Sequence, residues 1–162
     1  RQRSTWRPTV GRPDKIGSAL LDASALIVVI EGEPEFECLK SLLAAVDREE
    51  VTLVESTAIL AEVVPEHGRD TELHTQARDV VRALLEPPTT QLVGVSTAVA
   101  RKAGDLRVKH GLHTWDAVHL ATAILAGVDV LIVRDHKFPA GEYESVYVTG
   151  AIDIDDDKLF RS

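Results

Sequence analysis

The segment TWDAVHLATAILAGVDVLIV, Thr114 to Val133, decides how this chain is read. Thr114 to Gly127 has the length and apolar content of a helix bound for the interior, with Gly127 to close it. Val128 to Val133 follows as an apolar, β-branched run, the pattern of a buried strand. Two polar residues interrupt the helix early: Asp116, and His119 one turn further on. Thr114 is expected to cap the helix, and a carboxylate in its first turn gains about 0.3–1 kcal/mol from the helix dipole. Capping would explain Asp116 when it is taken alone. A site built from carboxylates would explain it as well.

Working outward, the same alternation of apolar runs and helical stretches continues. Ala19-Leu20-Leu21 reads as a strand stopped by Asp22, and Asp22 or Ser24 can cap a helix running to Ile30. Glu35 to Glu49 places Phe36, Leu39, Leu43 and Val46 at helical spacing. Val51 to Val54 is strand-like; Ser56 then opens a helix that Pro65 should stop at Val64. Asp70 to Leu85 predicts a long amphipathic helix ended by Pro87-Pro88. Gln91 to Val95 is a third strand, followed by a helix from Ser96 to His110 that Gly111 breaks. Val128 to Val133 is the fourth strand and Ser145 to Thr149 a short fifth. Apolar strands separated by helices predict an α/β domain whose parallel sheet is covered on both faces.

Composition bounds the function classes. The chain has 162 residues, 44% hydrophobic and 27% charged, which suits one soluble domain with a sizeable core. No apolar run approaches the roughly 20 residues that cross a bilayer, and no signal peptide is visible. The single cysteine, Cys38, excludes an intrachain disulfide, so a cytoplasmic location is expected. Residues 1–17 read as a basic tail, 18–150 as the domain and 151–162 as an acidic tail. With 26 acids against 18 Lys and Arg the net charge is -8, which argues against a nucleic-acid partner. That exclusion fails if some acids are gathered to hold divalent cations, because a bound ion reverses the local field.

Four acids stand where such a sheet would gather them, at strand ends and helix starts. Asp22 follows the first strand, Glu62 lies in the helix after the second, Asp116 begins the Thr114 helix, and Asp135 follows the fourth strand. Each has an innocent explanation as a cap, a solvent-facing residue or a turn residue. As a set they fit that account less well: Glu62 is the only charge among Ala58–Val64, and Asp116 the only acid in its helix. Burying unpaired carboxylates costs several kcal/mol apiece, and their repulsion raises their pKa values. Mg²⁺ or Mn²⁺, which prefer hard oxygen ligands, would remove both penalties. One or two such ions can activate water and stabilise the leaving oxygen of a phosphodiester.

The blocks LLDASALI, STAILAEV, TWDAVHLATA and LIVRDHKF, in this order, resemble the signature blocks of PIN-domain nucleases, especially the VapC-type toxins of bacterial toxin–antitoxin pairs. DAVHLATA is the most specific and LLDASAL the next; the resemblance spans Leu20 to Val148. It implies a three-layer α/β/α sandwich with a mostly parallel sheet, here of about five strands. It also implies Mg²⁺- or Mn²⁺-dependent cleavage of RNA, inhibition by a cognate antitoxin protein, and homodimerisation. Under it Asp22, Glu62 and Asp116 are the three regular acids of the metal site, Asp135 the more variable fourth, and Ser24 a small polar residue beside them. One departure is Val133, where family members often carry Ser or Thr.

The remaining polar residues favour structural roles. His119 is expected in the core, hydrogen-bonded to a neighbouring polar group, since imidazole matches Mg²⁺ poorly and an activated water needs no histidine base. His110 and His113 are expected in loops, and Trp115 in packing rather than stacking on bases as it or Trp6 otherwise could. Arg101, Lys102, Arg107 and Lys109 read as a solvated helix face, whereas Arg134 and Lys137 bracket Asp135 and are better placed for substrate phosphates. A haloacid-dehalogenase-like phosphatase would need an acid at Ser24, and a receiver domain an acidic pair at Asp22-Ala23. The remaining alternative is a binding or regulatory module on the same fold with weak or lost nuclease activity.

Overall fold

The computed structural model describes residues 13, 15–31, 38–63, 79, 82–83, 85, 90–134 and 138–150. Ala19, Leu20 and Leu21 are fully buried, as in a strand covered on both faces, and they form the centre of the sheet in β1 (Ser18–Leu21). β1 pairs in parallel with β2 (Thr52–Ser56) on one side and β4 (Val130–Val133) on the other. β3 (Thr90–Val93) extends the sheet beyond β2, and β6 (Val146–Gly150) beyond β4, both parallel. A short β5 (Gly141–Tyr143) closes the far edge antiparallel to β6. The order β3-β2-β1-β4-β6-β5 reverses direction at the β1/β4 boundary, the place where open sheets of this kind bind ligands.

The period-two alternation of side chains divides the core between two faces. Ala19, Leu21, Leu53, Val130 and Ile132 pack with Ala25 and Val28 of α1 (Ala23–Glu31) and Leu39, Leu42 and Val46 of α2 (Cys38–Asp47). Leu20, Val54, Leu131 and Val148 point the other way, onto α4 (Thr97–His110) and α5 (Thr114–Ala126). The expected three-layer α/β/α arrangement is therefore present. Gly111 and Gly127 close α4 and α5 in the left-handed region, at φ 67° and 70°, where residues with a Cβ are strained.

Several boundaries differ from the sequence reading. The sheet has six strands rather than about five, because Gly141-Glu142-Tyr143 finds its hydrogen bonds on β6. Ser56 ends β2 instead of opening a helix: Thr57 N–H donates to Val93 O at 2.9 Å, carrying the β2–β3 pairing past it. The helix that follows, α3 (Ile59–Glu62), is a single turn. Thr114 does not cap α5. His113 occupies the cap position, without a side-chain hydrogen bond, and Thr114 is the first helical residue. Ser24 lies inside α1, and Asp22 caps that helix. His110 is in the last turn of α4 rather than a loop, its ring edge-to-face with Tyr143 at 5.0 Å. Of the predicted helix from Asp70 to Leu85, the described residues Asp79, Arg82, Ala83 and Leu85 are helical. The residues of both predicted tails beyond 13 and 150 lie outside the described set.

Candidate active site

Asp22 stands one residue beyond β1, where the strand turns directly into α1. Its backbone N–H donates to Ile132 O at 2.9 Å, so the turn is tied to the neighbouring strand. Its Oδ1 accepts from Ala25 N–H at 2.7 Å and from Ser24 Oγ at 2.9 Å, the pattern of an N-cap. Both bonds use Oδ1, so Oδ2 takes no part in the cap. Burial pushes the Asp22 carboxyl above its ordinary value; the hydrogen bonds from Ala25 and Ser24 and the nearness of His119 pull it back, and Asp116 pushes it up again.

Glu62 ends α3 and meets His119 of α5: Glu62 Oε1 and His119 Nε2 are 2.6 Å apart. Against a carboxylate, which only accepts, Nε2 is the donor. His119 is 1% exposed, and among the described residues its Nδ1 has no partner. The expected structural role of His119 is thus met, and its polar neighbour proves to be one of the four acids. Asp116, in the first turn of α5, is partly exposed and carries its own polar contact.

These three acids line one cleft of about 650 Å³ at the carboxyl edge of the sheet, together with Ala23, Ser24, His113, Trp115, His119 and Arg134. The structure therefore brings Asp22, Glu62 and Asp116 together from three elements. Asp135, the fourth acid, and Lys137 lie outside the described residues. Trp115, expected in packing, is half exposed on the rim, and His113 stands beside it. Arg134 supplies a cation to the acidic wall. Of the other basic residues, Lys102 is engaged with Glu144 at 2.6 Å, away from the cleft.

One acid escaped the sequence reading. Glu55 of β2 is completely buried; its Oε1 accepts from Leu21 N–H at 3.0 Å, and among the described residues its Oε2 has no partner. Burial pushes this carboxyl well above its ordinary value, the Leu21 hydrogen bond opposes the rise, and Asp22 and Glu62 add to it. The available signal was an acid at the end of an apolar strand, which reads as a boundary when neighbours are unknown.

The donors around the cleft are carboxylate oxygens, which suit a hard divalent cation, and the opening leaves room for water. Among the described residues no group of three or more His, Cys, Asp or Glu side chains is placed to hold a metal ion. The fit is therefore to a hydrated Mg²⁺ or Mn²⁺ held by one or two carboxylates, the usual style of these ions.

A mostly parallel sheet with acids gathered at its switch point defines a class of α/β domain. The family model of the PIN domain matches residues 19–141, and the chain belongs to that family. Among solved structures it is similar to a toxin–antitoxin complex from Klebsiella pneumoniae, at 28% identity and TM-score 0.59, covering 79% of this chain and 94% of that one. VapBC2 from Rickettsia felis, bound to a DNA fragment from its promoter, matches at 15% identity and TM-score 0.61, covering 82% and 98%. DNA-bound VapBC from Salmonella typhimurium matches at 15% identity and TM-score 0.60, covering 83% and 98%. No curated protein gives a significant match. Among the described residues no helix is long and apolar enough to cross a membrane.

Proposed function

We propose that this protein is a divalent-metal-dependent endoribonuclease, acting in the cytoplasm as the toxin of a toxin–antitoxin pair. The observation that carries the reading is the convergence of Asp22, Glu62 and Asp116, from three separate elements of a PIN domain, on one cleft at the sheet's switch point. Asp22, Glu62 and Asp116, with Asp135 as the fourth, would hold hydrated Mg²⁺ or Mn²⁺, one or two of them directly and the others through its waters. The ion, when bound, supplies a more acidic water and positive charge at the phosphodiester. The chain's own residues do the rest. The α1 cap holds Asp22, His119 holds Glu62, Arg134 faces substrate phosphates, and Trp115 offers a face for a base. The antitoxin partner is supported by the solved toxin–antitoxin complexes that share the fold, and the family resemblance adds a homodimer.

The test is cleavage of RNA by the purified chain with MnCl2 or MgCl2, and again in EDTA. Cleavage that disappears in EDTA and falls at least about 100-fold in Asp22→Asn and Asp116→Asn is expected, each carboxylate being worth several kcal/mol of transition-state stabilisation. Expression of the native chain, but not of Asp116→Asn, should arrest growth. Cleavage undiminished in EDTA, or a fully active Asp116→Asn, would overturn the metal mechanism.

A further inference from the structure

Where β1 and β2 run side by side, their pairing is shorter than either strand allows. Ser18 pairs with Thr52 and Ala19 with Leu53, whereas on its other side β1 continues in register to Leu21 and Ile132. β2 likewise stays paired with β3 through Ser56 and Val93. The two central strands therefore part over their last residues, just below the acidic cleft. Backbone N–H groups freed inside a protein must find other acceptors. Leu21 N–H finds the carboxyl of Glu55, which stands two residues beyond Leu53 on β2 and so level with Leu21 on β1. A side chain thus takes the place of the backbone acceptor that regular pairing would supply.

The consequence falls on the next residue. Asp22 N–H donates to Ile132 O on the β4 side, and Leu21 N–H donates to Glu55 on the β2 side. The peptide units that aim Asp22 into the cleft are held from both flanks, and one of the two holds is a carboxyl with its second oxygen unpartnered. An apolar residue at 55 would fill the same buried space without holding anything.

We propose that Glu55 is a positioning residue of the metal site: set into the gap where β1 and β2 part, it holds Leu21 N–H and, through it, the seat of Asp22. This rests on the metal-dependent reading above. Groups that orient ligands from behind typically change metal affinity 10- to 100-fold when lost.

The experiment is calorimetric titration of the full chain with MnCl2, paired with thermal melting in EDTA. Glu55→Gln keeps an oxygen for Leu21 N–H and should bind Mn²⁺ within about threefold of the native protein. Glu55→Leu and the unbranched Glu55→Met remove the acceptor. The orphaned Leu21 N–H costs stability and the removal of a buried carboxyl restores it, so they should melt within a few degrees of the native chain, yet bind Mn²⁺ at least about tenfold more weakly. Stability kept while affinity falls is a pattern that a purely structural role would not produce. Native affinity in Glu55→Leu or Glu55→Met overturns the proposal. So does a Glu55→Gln as weak as Glu55→Leu, which would make Glu55 itself a ligand, and so does loss of the fold in both apolar variants. If the native chain takes up no Mn²⁺, the metal-dependent reading fails together with it.

Discussion

Asp22 and Glu55 are two carboxyls at the ends of neighbouring strands, and their environments support them to different degrees. Asp22 has a helix start to cap and a serine beside it; Glu55 has one backbone N–H, with the Asp22 and Glu62 carboxyls near enough to repel it. In both, burial raises the carboxyl above its ordinary value, 3.8 for Asp22 and 4.5 for Glu55. A carboxyl raised by folding holds its proton more tightly in the native state. Its contribution to stability is therefore fully present below the unfolded value and is lost as pH rises toward the folded one. In EDTA the melting temperature should decline as pH rises from about 4.5 toward neutrality, and Glu55→Gln should flatten most of that decline. A variant as pH-dependent as the native chain would place the titration elsewhere. Asp22 was legible in the sequence because an acid at a strand-to-helix junction is conspicuous. Glu55 was not, because its meaning depends on Leu21, 34 residues away.

At the scale of elements, Asp22 caps α1 and is proposed to serve the metal site as well. Asn caps a helix about as well as Asp, whereas Ala loses typically about 1 kcal/mol. Asp22→Asn should therefore melt close to the native chain while Asp22→Ala melts about 2–4 °C lower. Both should lose cleavage alike. A destabilised Asp22→Asn would mean that the cap needs the charge itself. The central strands and the two long helices α4 and α5 were legible because their apolar runs, Ser96 cap and closing glycines are local signals. β5 was not: three residues, Gly141-Glu142-Tyr143, carry no run, and their pairing comes from β6 across a turn. The residues after β2 misled for a related reason. Ser56 is a good cap in isolation, yet β3 keeps it in the strand.

For the whole molecule, a net charge of -8 and an RNA substrate are compatible only if cations are brought to the cleft. The same economy predicts a stability effect. An ion that binds only the folded chain adds about 2.7 kcal/mol when present at 100 times its Kd. For a domain of this size that is about 5–10 °C in Tm. Raising MnCl2 through that range should produce the shift and EDTA should reverse it; Asp116→Asn should show much less. An equal shift in that variant would locate the ion away from the cleft. The cleft itself was legible as a set of acids on separate elements. Its depth and its rim were not, since Trp115 and His113 reach it only through the way α5 is docked.

The single turn of α3 gives the cleft two unlike walls. Asp22 follows directly on a strand whose Ala19, Leu20 and Leu21 are fully buried. Glu62 ends a four-residue helix in which only Ile59 is buried and Leu60 faces solvent. So short a helix has little stability of its own, and its Glu62 is tied to α5 through His119. In the proposed cleavage of RNA, fitting differently shaped strands would fall to the Glu62 side, with the Asp22 side as the fixed jaw.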